Sequence, residues 1–261
     1  TSRLKSVLSA IRSILANRSS LIQADVLTDS KSVSIWISKN YGRLSWSSFL
    51  HLRSRFMNYI TIKSPAKASF IEKRSEFIGY LSPVTTNDEA VEFINSIKAE
   101  HRKAKHNVYA YILRNDNIVR YSDDGEPQGT AGVPVLDVLQ KNNLTDICCV
   151  VTRYFGGILL GGGGLVRAYS HCAAIAVDVA EILDMHYCVT IVLEMDYDLY
   201  GKVSYILPEY EIKLINQDFS DNVKLMMNVK TEKYESLYKK LIDVTCNKIK
   251  KAKLSEQFDS F

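Results

Sequence analysis

The chain predicts an α+β fold built as two consecutive domains, and three observations carry that reading. Ile147–Val151 is an unbroken apolar run, the mark of a central strand buried on both faces. Stripes of apolar residues at helical spacing stand on either side of it. Beyond residue 186 the pattern becomes strand, helix, strand, strand, helix, strand, the βαββαβ order of a ferredoxin-like unit. A length of 261 residues suits two modest domains.

The elements follow in order. Residues 66–72 (AKASFIE) and 76–82 (EFIGYLS) read as a strand pair separated by the polar Lys73-Arg74-Ser75. Thr86 with Glu89 three residues later forms a capping box, and the helix it opens runs to about His101. Ala90, Phe93, Ile94 and Ile97 share one face of that helix. Residues 107–114 (NVYAYILR) alternate as a strand, and a helix over 131–141 carries Val135, Leu136 and Leu139. After the central strand, a glycine-rich stretch opens a long helix to about Leu183. Its stripe is Leu165, Ala168, Cys172, Ile175, Val179 and Ile182, with Arg167, His171, Asp178 and Glu181 off it. Met185 and His186 mark the domain junction. The second domain then reads strand (187–195), helix (near 198–206), strands (211–217 and 223–229), helix (231–244) and strand (248–254). The expected division is 57–184, 185–255 and a tail at 256–261.

Composition narrows the function classes. Hydrophobic residues at 46% and charged ones at 24% exclude collagen-like and wholly disordered chains. There is no run of about 18 apolar residues, so no membrane-spanning helix is expected. The charge is uneven. Residues 1–56 hold nine basic and two acidic side chains, 57–184 hold 13 and 15, and 185–261 hold 11 and 12. The overall surplus of +4 therefore belongs to the first fifth of the chain. That stretch has 14 Ser, no Glu and no Met, and its Leu4, Val7, Leu8, Ile11, Ile14 and Leu15 recur at helical spacing. Transit-peptide composition, a basic arm and upstream read-through ahead of Met57 all fit it. The reading adopted is an extension, disordered or read-through, outside the working domains. Cys148, Cys149, Cys172, Cys188 and Cys246 include no C-x-x-C pair, and their odd number argues against a disulfide framework. A reducing compartment, the cytoplasm, is expected.

Chemistry-bearing residues concentrate in three segments of the first domain: His106-Asn107, Ser122 to Gly132, and Thr152 to Tyr169. Eight of the twelve glycines fall between 129 and 164. Gly161 to Gly164 open a helix that carries Arg167, and free N–H groups beside a guanidinium suit an anion such as phosphate. A Walker A loop fails because Leu165 and Val166 replace its Lys and Ser/Thr, and the third Rossmann glycine is absent at Val166. Asp123, Asp124 and Glu126 crowd a Gly-Pro turn, where they can hold a metal, act as a base or simply shape the turn. A His106–Ser170–Asp123 triad lacks the G-x-S-x-G elbow, since Ser170 lies inside a helix. Lys248, Lys250, Lys251 and Lys253 read as guards on an edge strand.

Taken together, these segments resemble a known family. His106-Asn-x-Tyr-Ala-Tyr111, Ser122-Asp-Asp-Gly-Glu-Pro-x-Gly-Thr-Ala-Gly-x-Pro134 and Thr152-Arg-Tyr-Phe-Gly-Gly-x-x-Leu-Gly-x-Gly-Gly-Leu-Val-Arg-Ala-Tyr169 are similar to the Impact/YigZ family, as is the opening Glu72-Lys-Arg-Ser-x-Phe-Ile78. The resemblance covers about 57–255. It implies a first domain like those of a small-subunit ribosomal protein, ribonuclease PH and the GHMP kinases, followed by one like the last domain of elongation factor G. It also implies translational regulation, the role of the eukaryotic members. The expected partners are RNA, ribosome or a translation factor, with a phosphate-bearing ligand, no cofactor, no membrane and no catalytic residue. Expected contacts are His106, Asn107, Thr130, Arg153, Tyr154, Gly156, Gly157, Gly161, Gly163, Gly164 and Arg167. Asp123, Asp124 and Glu126 are expected as polar or metal contacts. The alternative is a metal-assisted enzyme acting on a phosphorylated or nucleotide substrate at the same place. Arg167 and Asp124 are both expected to matter more for function than for folding.

Overall fold

The computed structural model describes residues 58–115 and 118–261; the N-terminal extension and Met57 lie outside the described residues. Two five-stranded sheets and five α-helices make up a mixed α+β architecture within the unit Phe56–Phe261.

The first sheet has five strands in the order β2-β3-β6-β4-β5: β2 (Ala66–Glu72), β3 (Ser75–Pro83), β6 (Ile147–Tyr154), β4 (His106–Leu113) and β5 (Ile118–Ser122). The apolar run falls in β6, the middle strand, as expected. Helix α1 (Asn87–Glu100) covers one face through Ala90, Ile94 and Ile97 against Ile78, Tyr80, Tyr111 and Val150. Helices α2 (Gly132–Lys141) and α3 (Gly162–Asp178) cover the other, packing Val135, Leu139, Leu165, Tyr169 and Cys172 on Phe77, Val108, Cys149 and Val151. The capping box is nearly as read. Glu89 N–H donates to Thr86 Oγ1 at 3.2 Å, but the Glu89 carboxylate takes the N–H of Thr85 at 2.7 Å, one residue before the expected partner.

The second sheet is built on β7 (Ile182–Met195), which pairs antiparallel with β9 (Val223–Lys230), with β10 (Lys250–Ser260) and, at its start, with β1 (Tyr59–Ile62). The outer strand β8 (Lys213–Phe219) pairs with β9. Helices α4 (Tyr197–Ile206) and α5 (Thr231–Thr245) cover one face with Leu199, Val203, Leu237 and Leu241 over Ile191, Leu193, Leu225 and Met227. Arg114, just past β4, links the two sheets. Its guanidinium lies 4.0 Å from the Tyr59 ring and 4.4 Å from the Phe258 ring, and its Nε reaches Asp146 at 3.3 Å.

Three expectations are corrected. Helix α3 ends at Asp178, so Val179 is exposed and Ile182 belongs to β7, where it pairs with β1. Met185 and His186 therefore lie inside a strand, so the expected junction falls within β7 and not between elements. The 256–261 tail is mostly strand, because a register shift between Lys253 and Ser255 lets β10 continue along β7 to Ser260. Among the lysines of that stretch, Lys250 and Lys253 pair with Glu194 and Glu256, and Lys251 lies 3.2 Å from the Tyr238 ring.

Candidate functional site

The acidic turn that follows β5 is an internal scaffold. Asp123 Oδ1 accepts the N–H groups of Ala131 (3.0 Å) and Gly132 (2.8 Å), and Oδ2 accepts that of Gly129 (2.9 Å). Ala131, the N-cap of α2, has no side-chain oxygen, so Asp123 satisfies this helix start from eight residues upstream. Asp124, in the left-handed region at φ 44°, accepts Lys98 Nζ on Oδ1 and the Asn107 N–H on Oδ2, both at 2.7 Å. Its carbonyl takes a hydrogen bond from His106 Nδ1 at 2.9 Å. The Glu126 side chain is only 5% exposed and accepts Arg153 Nη1 at 2.6 Å and the Tyr169 hydroxyl at 2.8 Å. Burial, reinforced by this carboxylate, pushes the Tyr169 phenol far up, so it stays a donor. The three carboxylates point at separate donors of the protein, and no cluster of three or more His, Cys, Asp or Glu gathers for a metal among the described residues.

Several expected contact residues belong to the same scaffold. Arg153 is 5% exposed. Beyond Glu126, its Nη2 reaches Ser75 Oγ at 3.5 Å, its guanidinium lies 5.4 Å and 5.5 Å from the rings of Phe77 and Phe155, and its buried Nε has no partner. Tyr154 points to the opposite face, where its hydroxyl meets His101 Nδ1 at 2.8 Å. Alternation along β6 forces that separation. Asn107 is buried and accepts the Thr152 hydroxyl at 2.8 Å, while the Thr130 hydroxyl donates to the Pro127 carbonyl at 2.6 Å. Asp124 is likewise engaged within the fold, by a main-chain N–H and a lysine.

The glycine segment behaves differently. At Gly156 a Cβ would lie 2.0 Å from the carbonyl carbon and oxygen of Arg74, so the β2–β3 hairpin tip is clamped directly onto this backbone, and its N–H donates to Ser75 Oγ at 3.1 Å. Gly157 is exposed in the loop that follows. Gly161 is the N-cap of α3, at φ 72°, a conformation that only glycine adopts without strain. No side chain caps this helix and no acid stands in its first turn. Gly163 and Gly164 sit in that turn, and Arg167 Nη1 folds back to 3.8 Å from a Cβ placed on Gly163. A Cβ on Gly162 would lie 3.9 Å from Thr130 Cγ2, and the Glu126–Tyr169 bond ties the acidic turn to the same helix. The glycine loop, Arg167 and the acidic turn thus converge on one surface.

Two features of this surface escaped the sequence reading. Phe155 (46% exposed) and Leu159 (84% exposed), with Ile158 and Val166, form an apolar edge along the loop 155–161 and the first turns of α3. The hairpin tip Lys73-Arg74, read as a polar separator, holds both residues at positive φ (46° and 64°) and presents both side chains to solvent.

Residues 73–177 match the family described as the Impact N-terminal domain, and residues 193–248 match a domain of unknown function, DUF1949. The chain is 38% identical over 192 residues to the IMPACT family member YvyE of Bacillus subtilis, covering 73% of this chain and 88% of that protein. The chain belongs to the Impact/YigZ family. The IMPACT family member YigZ of Escherichia coli is 33% identical over 174 residues, covering 66% of this chain and 85% of its own. The Protein IMPACT homolog of Dictyostelium discoideum is 38% identical over 119 residues, which span 44% of this chain and 33% of that protein. The Impact N-terminal match includes the hairpin tip, the acidic turn and the glycine loop.

Proposed function

We propose that this Impact-family chain is a non-catalytic binding module of translational regulation or stress response. It acts in the cytoplasm and grips an anionic group of RNA, ribosome or a translation factor at the start of α3. One observation carries the reading. Helix α1 starts on Thr86 with Asp88 and Glu89 in its first turn, and α2 starts on the Asp123 carboxylate, whereas α3 starts on glycine with an arginine folded over it. The positive end of the macrodipole and a guanidinium are left together, an arrangement that an incoming anion stabilises. The carboxylates of the acidic turn are engaged by protein donors, which favours binding over metal-assisted chemistry. Residues 57–184 form the Impact N-terminal-type domain in this reading, and 185–255 the ferredoxin-like one. A formal excess of acids in the first (13 basic, 15 acidic) and a near balance in the second (11 and 10) imply local contacts with a shallow salt dependence.

The test uses the full chain and the variant Arg167→Glu, in ribosome co-sedimentation, single-stranded RNA anisotropy and inorganic phosphate titration. The variant is expected to melt like wild type and to lose binding by about tenfold or more, the equivalent of ~1.4 kcal/mol. Unchanged binding in all three measurements overturns the reading.

A further inference from the structure

Strand register brings an unassigned set of cations to one end of the first sheet. His106 pairs with Arg153, and Glu76 with Tyr154, so the start of β4, the end of β6 and the β2–β3 hairpin tip lie side by side. The turn between α1 and β4 contributes Arg102, Lys103 and Lys105 there, the hairpin tip Lys73 and Arg74, and α3 Arg167. All six are exposed, and none is in an ion pair among the described residues. The acids at this end are fewer. Glu72, Glu76 and Glu100 are exposed there and Asp123 is held by three main-chain N–H groups, while Asp124 and Glu126 are paired with Lys98 and Arg153. A domain with a slight formal excess of acid therefore shows a positive end, and beside it lies the apolar edge of Phe155, Ile158, Leu159 and Val166.

We propose that this end of the sheet docks an acidic protein segment that also carries apolar side chains, its carboxylates meeting the cations and its apolar residues covering the loop 155–161. The proposal rests on the anion-binding reading of α3 and names its partner. Charge complementarity sets the sign of the segment. The apolar edge decides between protein and RNA. Single-stranded nucleic acid is held by stacking on aromatic faces, whereas this edge has one aromatic ring and three aliphatic side chains. An exposed leucine and phenylalanine beside unpaired cations match the apolar centre and polar rim of a protein interface. The hairpin tip adds to this. Its backbone is locked by Gly156, so Lys73 and Arg74 are presented from a fixed turn, which lowers the entropy lost on docking.

The experiment selects a displayed random peptide library on the full chain, with counter-selection on Leu159→Ser. Selected peptides and a single-stranded RNA of mixed sequence are then titrated against wild type, Leu159→Ser, Lys73→Glu/Arg74→Glu and Arg167→Glu. Thermal melts confirm that each variant is folded. The expected result is enrichment of peptides that are net negative and contain apolar residues, with binding weakened about tenfold or more by each variant and by added salt. Failure to enrich over Leu159→Ser, or enrichment of peptides without acids, overturns the proposal. RNA binding that is lost in Arg167→Glu but unaffected by Leu159→Ser overturns it while leaving the anion site standing. Indifference of every ligand to Arg167→Glu overturns both.

Discussion

Replacing Arg153 with methionine removes one partner of an ion pair whose two side chains are 6% and 5% exposed. Glu126 then keeps the Tyr169 hydroxyl as its one close donor, with His106 Nε2 at 3.9 Å. Leaving a buried carboxylate without its cation costs about 3–5 kcal/mol. Some of that is returned, because the unpartnered Arg153 Nε disappears with the substitution and an orphaned buried donor costs about 1–3 kcal/mol. The net loss is expected near 2–3 kcal/mol, or about 4–12 °C in Tm for a chain of this size. Glu126→Gln strands the guanidinium instead and is expected to cost a similar amount. The double variant leaves neither charge, so its cost should fall below the sum by about 1 kcal/mol or more, as expected for contacting residues. Urea and thermal melts of the four proteins close the cycle. A shift under about 2 °C for Arg153→Met, corresponding to less than ~1 kcal/mol, refutes the internal-strut reasoning. So does additivity of the two changes within ~0.5 kcal/mol. Either result returns Arg153 to the list of ligand contacts.

Other outcomes follow from the same geometry. Gly162→Asp puts an acid in the first turn of α3, where a Cβ has room, and is expected to raise Tm. Helix propensity and dipole each contribute about 0.3–1 kcal/mol. The same change should weaken anion binding, and a stabilised variant with undiminished binding contradicts the site. Glu211 accepts Lys230 at 2.8 Å and Lys233 at 2.9 Å, and these bonds, Lys230 first, lower its pKa from 4.5 to about 2. A depressed carboxyl stabilises the fold above its unfolded value and loses that effect as pH falls. The melting difference between wild type and Glu211→Gln should therefore shrink between pH 4.5 and about 2, and a pH-independent difference sinks the assignment. Burial holds Cys172 and Cys188 up at about 12 and raises Cys148 and Cys149 further, while Cys246 is exposed. Thiol titration of the folded chain at mild alkaline pH should modify Cys246 alone, with the other four reacting only after denaturation.

Much of this architecture is legible in the sequence because its signals are local. The apolar run of β6, the Thr86 cap and the strand–helix order after residue 186 each depend on neighbours a few positions away. Strands β1 and β5 carry no such signal. Four residues, Tyr59–Ile62, become a strand by pairing with residues 182–185, and β5 is an edge strand with an exposed middle that β4 holds in place. The end of α3 is obscured for a related reason. Val179 and Ile182 continue a helical rhythm, but pairing with β1 draws the chain into β7. In the site, the glycines and Arg167 were visible by type and spacing. The committed roles of Asp123, Asp124 and Glu126 were not, because their donors lie on other elements. Arg153 and Tyr154, adjacent on β6, face opposite sides of the sheet, as strand alternation requires.

Strand β1 has a consequence for how the chain is made. It is fastened on one side to β7 and on the other to the turn ahead of β6, where its Ile60 carbonyl accepts the Thr145 N–H at 2.9 Å. Its partner Met185 is synthesised roughly 126 residues after Tyr59, which at about 5–20 residues per second is a delay of about 6–25 s. Throughout that interval Ile60 and Ile62 lack their strand partner, and the core available to them is that of the first sheet, in which Ile62 is buried. Pairing of β1 with β7 is thus a late step that joins the two sheets, and nascent chains halted before residue 182 are the species in which this strand edge is open to aggregation or chaperone capture.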